Sequence, residues 1–421
     1  MLRPAPLPGA PLVGAPGRGE GAGGVSLAPL AGIGDALAGR RVLVTGAGGF
    51  IGGRLVERLV LHHGAEVRAL VRNLAGAARL ARFPVTVLRG DVGSAPDLAT
   101  AIQGCTIVFH CAYGTSGSQK HRAWVNREGT RRVLEASRAA KVGRIVHLST
   151  LMVYGETPDG DLDEAAPRRR FGNAYSDSKM EAEQIALTSG LPVAVLQPTA
   201  VYGPYGGVWT EAVIRALKAG RQILVNGGDG LGNAVYVDDL VSAMLLAAVK
   251  DGAVGEAFLI SGEQPVTWRE LYGRFEQMLG TESRTVDMTE AEALAFWKSW
   301  KRSQPHMVGE ALRILKGEQP VRERIERTRE GIWLREMAST VLPESVQQRI
   351  KTRMRSSARP TPRQDELPIH PLTPELIRFL RARTRVRIDK ARRLLGYRPA
   401  FDFAAGMDLT EQWARWANLL S

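Results

Sequence analysis

Tyr175-Ser-Asp-Ser-Lys179 sets a phenol and an ammonium four residues apart, on one face if the segment is helical. A free tyrosine titrates near ~10, too high for a good base at neutral pH. A neighbouring positive charge favours the phenolate and brings proton exchange with an alcohol or carbonyl oxygen into working range. A hydroxyl to orient that oxygen is at hand in Ser149-Thr150, at the end of a strand-like run over 144–149. Alone, the pair reads equally well as a surface helix with a packed tyrosine. Its place behind a second motif gives it weight.

That motif is Thr45-Gly46-Ala47-Gly48-Gly49-Phe50-Ile51-Gly52. The G-x-G-x-x-G spacing fails because Ile51 stands where the third glycine belongs, but Gly46, Gly49 and Gly52 recur every three residues. An apolar run, 41–45, precedes the turn, and Ile51, Leu55 and Leu59 follow at helical spacing. Strand, tight turn and helix in this order leave free N–H groups and a helix dipole facing a pyrophosphate. A glycine-rich connection without ligand is the plain alternative. The second predicted strand ends Leu70-Val71-Arg72-Asn73, with no acid to select a ribose hydroxyl. The Arg72 guanidinium suits a 2′-phosphate. NADP is therefore preferred, NAD stays open, and a solvated loop role for Arg72 is the competing reading.

Stepping along the chain, strand-like runs fall at 41–45, 66–71, 85–88, 107–110, 144–149 and 192–196, with helical stretches between most of them. Alternation of this kind argues for a parallel sheet covered on both faces. Residues 1–38 are low in complexity and read as a flexible tail. The divisions expected are a dinucleotide-binding domain over 39–200, its core strands reaching about 260, and a substrate lobe over 201–281. A basic helical insertion over 282–383 and a return over 384–421 complete the chain.

The 421 residues, 44% hydrophobic and 24% charged, describe a globular protein large enough to bury a core without staples. Two cysteines, Cys105 and Cys111, exclude a disulfide scaffold and fit a reducing compartment. The seven histidines are scattered, and no metal site is expected. With no apolar run of membrane length and no signal-like start, the expected location is cytoplasmic. The net charge of +13 lies wholly within 301–400, and the remainder balances.

Taken in order, these motifs resemble the extended short-chain dehydrogenase/reductases, the NAD(P)-dependent epimerase/dehydratase group. The resemblance is carried by TGAGGFIG (45–52), GDV (90–92), FHCAYG (109–114), VNREGTRRVL (125–134), HLSTLMVYG (147–155) and YSDSK (175–179). QPTAVYGP (197–204), YVDDL (236–240) and KARRLLGYRP (390–399) continue it. It implies an α/β fold, a doubly wound parallel Rossmann sheet with a smaller, mostly helical substrate-binding lobe. It also implies Tyr175 as acid or base, Lys179 holding the nicotinamide ribose and shifting the phenol, and Thr150 on the substrate oxygen. Gly46, Gly49 and Gly52, with Phe50 and Ile51, would frame the pyrophosphate, and Asp91 with Val92 would lie towards the adenine. Ala112 and Tyr113 would run along the cofactor beside Cys111, read as a packed hydrophobe. Pro198 and Thr199 would begin the substrate side, and Asp238 or Asp239 would cap a helix.

Three departures bear on the substrate. Leu151 and Met152 follow Thr150 where 4,6-dehydratases carry Asp and Glu, so that activity is not expected. Ala200 replaces an asparagine that nucleotide-sugar members place on the diphosphate, and Gly232 or Asn233 stands near an expected arginine. Arginines 385, 387, 392 and 393 are candidate substitutes. Hydride transfer at a secondary alcohol or ketone carbon is the expectation, with three versions open. They are an epimerase of a sugar-nucleotide-like or other bulky substrate, an NADPH-dependent ketone or aldehyde reductase like the dihydroflavonol reductases, and a non-catalytic dinucleotide-binding scaffold. In the insertion, Val321–Met337 interleaves Val321, Ile325 and Ile332 with charge, including a Glu323–Arg327 pair. A solvated helical cap is favoured there. Contact of 301–383 with an anionic membrane or a protein is the sharper alternative, with Trp297, Trp300 and Trp333 beside the charge. No nucleic-acid partner is expected, and the resemblance leaves a homodimer open.

Overall fold

The computed structural model describes residues 33–157, 159–281, 283–303 and 367–421. Seven short runs form the central sheet: β1 (Arg41–Thr45), β2 (Glu66–Val71), β3 (Thr86–Arg89), β4 (Ile107–His110), β5 (Arg144–Leu148), β7 (Val193–Pro198) and β11 (Ala257–Ile260). Their order is β11-β7-β5-β4-β1-β2-β3, and every neighbouring pair is parallel. Strands buried on both faces need apolar residues at successive positions, which is why β4, β7 and β11 show no inside–outside alternation. Register is plain at the centre, where Val44 of β1 lies opposite Ala69 of β2 and Phe109 of β4.

Helices cover both faces. On one side α1 (Phe50–His63) and α7 (Val237–Val249) bury Leu55, Leu59, Leu240 and Met244 against Val44, Phe109 and Val146. On the other, α2 (Ala95–Ile102), α4 (Thr130–Ala139) and α5 (Ala174–Leu187) pack Leu98, Val133 and Ala186 over Val108 and Ile145. Each such aliphatic side chain contributes roughly 1.5–3 kcal/mol by leaving water. Ile33 and Leu37, assigned above to a flexible tail, are buried in the first of these cores, so the ordered domain begins earlier than expected. Residues 1–32 of that tail lie outside the described residues.

The smaller lobe has its own core around Trp268, Leu271, Phe275 and Ile377. A three-stranded parallel sheet has β9 (Arg221–Val225) between β12 (Thr285–Met288) and β13 (Ile369–His370). Around it stand α6 (Ala212–Ala219), α8 (Trp268–Leu279), α9 (Glu290–Ser303) and α10 (Pro374–Arg381). β12 and β13 fall within the stretch expected to be a helical insertion. Both ends of that stretch are therefore strands integral to the lobe. Its middle, with Val321–Met337, the Glu323–Arg327 pair, Trp333 and most of the proposed anionic contact surface, lies outside the described residues. Trp297 and Trp300 stack on one another on α9, ring centroids 5.2 Å apart.

Two further pairings join the lobes: β8 (Ala200–Tyr202) with β10 (Ala234–Tyr236), and β6 (Gly160–Leu162) with β14 (Thr384–Val386). Helices α11 (Asp389–Leu395) and α12 (Phe403–Trp416) close the chain. Neither Asp238 nor Asp239 caps α7 as expected. Asp238 instead receives Arg54 (2.7 and 2.9 Å) and Arg58 (3.3 Å) from α1, and Asp239 accepts the N–H groups of Ala400 and Phe401. Both lie buried in the first turn of α7, past its N-cap Tyr236, with their oxygens taken by these partners. No described helix is long and apolar enough to cross a membrane.

Candidate active site

Strand order reverses direction between β1 and β4, the place where a parallel sheet opens a crevice at its carboxyl edge. The glycine turn lies there. Gly46 has φ 67°, and a Cβ on it would come within 2.8 Å of the Ala112 nitrogen after β4. At Gly52 a Cβ would stand 2.3 Å from the Gly46 carbonyl oxygen. The Gly49 N–H closes the turn on Gly46 (3.0 Å), and Phe50 then begins the 14-residue α1, with Ile51 packed on the sheet core. A cradle that any side chain would fill, at the open end of a helix, fits a dinucleotide pyrophosphate.

Along the crevice Ala112 gives its N–H to Thr45 (3.3 Å), and Tyr113 is 44% exposed. Cys111 is buried, and burial pushes its thiol up to about 12, in keeping with a packed hydrophobe. Arg72 leaves β2 and donates to Ser116 (2.9 Å) and Thr115 (2.7 Å), so its guanidinium is held among hydroxyls at the surface. Asp91 uses one carboxylate oxygen on the N–H of Gly93 (2.7 Å), and Val92 is buried in the core beneath α4. Pro198 ends β7. The Thr199 hydroxyl bonds the Ile260 carbonyl and Ser261 (both 3.3 Å), fixing it to β11.

The candidate reacting groups come from the end of β5 and from α5. Thr150 is extended (φ −162°, ψ 152°) and accepts the Met152 N–H (3.3 Å), starting the short turn Leu151–Tyr154. Asn173 caps α5 by accepting the Ser176 N–H (2.8 Å), and Asp177 accepts the N–H groups of Phe171 and Gly172. These bonds fix the first helical turn, and with it Tyr175. Although 43% of Tyr175 is exposed, its hydroxyl lies at the inner end beside Thr150. Burial pushes this phenol up to about 12 and Tyr113 adds to the shift, while the bond with Thr150 opposes it. Lys179, 5% exposed, donates to the Leu148 carbonyl; burial pulls it down to about 8 against Glu183 and Cys111. Burial, with Tyr113 adding to it, runs against the acidification of Tyr175 expected from Lys179, whose ammonium is turned to the strand end.

Beside the turn that follows Thr150 in the chain a cleft of about 160 Å³ opens. Leu151, Met152, Phe171 and Phe379 line it together with Glu156, Asp159, Arg378 and Arg381, and Arg378 is ion-paired to Glu156. The candidate substitutes for missing phosphate contacts are elsewhere. Arg385, Arg387 and Arg392 line a second, smaller cleft, where Arg387 pairs with Asp161 and Asp389, and Arg392 with Glu263. Arg393 is exposed on α11. Asn233 makes a structural bracket, donating to Thr384 and accepting the Val386 N–H (3.1 Å). Ala200 is buried on β8.

Sequence reasoning missed Asn126. It lies in a π-helical turn, Val125–Gly129, accepts the Gly114 N–H (2.9 Å) and donates to Ser178 (2.9 Å), tying the crevice loop to α5 between Tyr175 and Lys179. It also missed Glu183 and Gln197, buried beneath the site. Gln197 alone gave a signal, as a polar residue within the apolar strand β7; Asn126 and Glu183 stand among other polar residues.

The profile of the NAD dependent epimerase/dehydratase family matches residues 42–261. A 4-hydroxy-2-methyl-3-oxo-4-farnesyl-3,4-dihydroquinoline-1-oxide ketoreductase of Stigmatella aurantiaca is 30% identical over 65% of this chain and 85% of that protein. A 2-alkyl-3-oxoalkanoate reductase of Shewanella oneidensis is 31% identical over 56% of this chain and 66% of its own length. Among solved structures, the epimerase Mth375 of Methanothermobacter thermautotrophicus superposes with TM-score 0.63 at 19% identity, covering 91% of this chain and 95% of that one. The dTDP-glucose 4,6-dehydratase DesIV of Streptomyces venezuelae, solved with NAD, gives 0.61 at 23% identity, covering 89% and 97%. These two likenesses speak to the fold.

Proposed function

Because the chain belongs to the NAD-dependent epimerase/dehydratase family, we propose that it is a dinucleotide-dependent ketone reductase acting on an apolar or amphipathic substrate, with Tyr175 as proton donor. The observation that supports this is a phenol raised by burial and paired with Thr150, the residue just before Leu151 and Met152, which line a cleft together with Phe171 and Phe379. A group titrating near 12 is unsuited to taking a proton at neutral pH and well suited to giving one to an oxygen on which negative charge develops. Thr150 would hydrogen-bond the same oxygen and fix the carbonyl against Tyr175. Lys179 would orient the cofactor ribose. When bound along the glycine turn, the reduced dinucleotide supplies hydride to the carbonyl carbon. Gly46, Gly49, Phe50, Ile51, Gly52, Asp91, Val92, Ala112, Tyr113 and Pro198 would hold it.

Arg72, among the hydroxyls of Thr115 and Ser116, supports NADP over NAD by supplying a fork of donors for a 2′-phosphate. The named activities of the two reductase relatives favour carbonyl reduction over epimerisation, and the apolar residues after Thr150 weigh against water elimination. The test is oxidation of NADPH and NADH by the full chain with 2-alkyl-3-oxoalkanoates, other apolar ketones and sugar nucleotides. Turnover of the ketones with NADPH is expected. Epimerisation of a sugar nucleotide without net cofactor oxidation, or dinucleotide binding with no turnover, would replace the proposal with one of its rivals.

A further inference from the structure

Glu183 stands one helical turn beyond Lys179 on α5 and is 1% exposed. Its Oε2 accepts the Ser149 hydroxyl at 2.6 Å, and its Oε1 accepts Gln197 Nε2 and Arg168 Nε, each at 2.8 Å. The Gln197 carbonyl oxygen in turn accepts the Tyr154 hydroxyl (2.8 Å). A buried carboxylate satisfied by three donors, one of them a guanidinium, is a costly feature to hold in a core and calls for an explanation. Its surroundings supply one. Helix α5 offers Tyr175, Lys179 and Glu183 at successive turns, and the end of β5 meets them with Thr150, the Leu148 carbonyl and the Ser149 hydroxyl. The helix and strand are thus clamped at three points, and the innermost lies behind the reacting pair.

The Lys179 charge is felt by His110 at the end of β4, by Cys111 just after it and by His147 on β5, and Glu183 acts on it from one turn along its own helix. Burial keeps both imidazoles neutral, and the Cys111 thiol is raised out of the neutral range. Neither nitrogen of His147 has a hydrogen-bond partner. Among the described groups around the ammonium, Glu183 is the carboxylate, and it is itself paired with Arg168.

Resting on the reductase reading, we infer that Glu183 is a positioning residue. Its carboxylate holds Ser149, and through it Thr150, in register with Tyr175, and it supplies the charge that keeps Lys179 an ammonium. The two roles separate by substitution. Glu183→Gln keeps the shape and removes the charge, whereas Ser149→Ala removes the tether and leaves the charge.

The experiment follows the Lys179 side chain in the full chain by pH titration of ¹³C-lysine NMR signals, with Lys179→Arg identifying the resonance. The midpoint is expected to fall by about one pH unit or more in Glu183→Gln, a tenfold change in the protonation equilibrium. It should stay unmoved in Ser149→Ala, while kcat on a ketone falls about tenfold in both, with little change in KM. Should Glu183→Gln not fold, Glu183→Asp keeps the charge at shorter reach and is expected to retain the midpoint and lose kcat. An unmoved midpoint in Glu183→Gln, or full kcat in Ser149→Ala, overturns the inference. The titration is independent of turnover, so a wild-type chain that reduces no ketone would remove the reductase reading and leave the charge role to be judged by NMR.

Discussion

Tyr113 stands edge-on to Tyr175, their ring centroids 6.1 Å apart. The loop after β4 and the first turn of α5 thereby face each other across the crevice at the sheet's carboxyl edge, with Thr150 at the inner end. A proton donor placed there is effective only if its hydroxyl survives. In Tyr175→Phe, kcat/KM for ketone reduction should fall by roughly 10²–10⁴, while the dissociation constant for NADPH stays within about twofold. A similar loss of cofactor affinity would mean that the tyrosine serves binding.

Arg72 donates to two hydroxyls and has no carboxylate hydrogen-bond partner among the described residues. Arg72→Ala should weaken NADPH about 10–100-fold, the scale of a charged hydrogen-bonding group, and leave NADH unchanged. Fluorescence titration with both dinucleotides separates the cases. Equal weakening of the two would place Arg72 outside the 2′-phosphate site.

Met152 and Phe379 reach the cleft from opposite lobes. Introducing charge with Met152→Asp should lower kcat/KM for an alkyl ketone by about 10–200-fold, the range that apolar pocket contacts command. Phe379→Ala should do the same more gently. Steady-state kinetics over a series of alkyl lengths would show the loss growing with chain length. A length-independent loss would put the alkyl group elsewhere.

Much of this was legible in the residue order. β2 and β4 agree with their expected spans, because strands sealed on both faces must be continuously apolar and the signal is local. The glycine turn, the Thr150 hydroxyl and the Tyr175/Lys179 spacing were legible for the same reason, since each is set within a few residues. What sequence could not give was the direction in which Lys179 points, because that depends on the Leu148 carbonyl 31 residues away. The roles of Asp238 and Asp239 failed likewise. Helix starts make acids look like caps, and only the fold reveals Arg54 and Arg58 opposite one and the backbone of 400–401 opposite the other. Strands β12 and β13 were hidden by their shortness and by dependence on β9, more than sixty residues from one and far more from the other.

Asp238 faces both arginines with only 1% of its surface exposed. Asp238→Ala should destabilise the protein by about 3–5 kcal/mol, because two buried guanidinium groups lose their shared counter-charge. Chemical denaturation measures it. A loss under about 1 kcal/mol would show that Glu57, already 3.0 Å from Arg54, takes over.

Burial lowers His63 to about 4 and His110 to about 3, each from 6.5, and pulls His147 well down. Such groups bind protons more readily when unfolded. Their contribution is fully present above pH 6.5 and is lost as pH falls towards 3–4. Asp239, raised by burial to about 7, acts in the opposite sense, its contribution disappearing as pH rises through 7. His62 is lowered as well and Glu164 is raised, so with four imidazoles against two carboxyls the urea midpoint should be lower at pH 5 than at pH 7. His63→Leu should flatten that slope without touching the crevice. An unchanged slope would shift the acid sensitivity onto the other three.

All seven strands of the dinucleotide sheet are complete by Ile260, yet the cleft needs Phe379, and the strap that Asn233 grips begins at Thr384. The core over that sheet is likewise unfinished until α11 and its flanking residues bring in Ile388, Leu395 and Tyr397, so on the ribosome crevice and cleft are both completed only by the last stretch of synthesis.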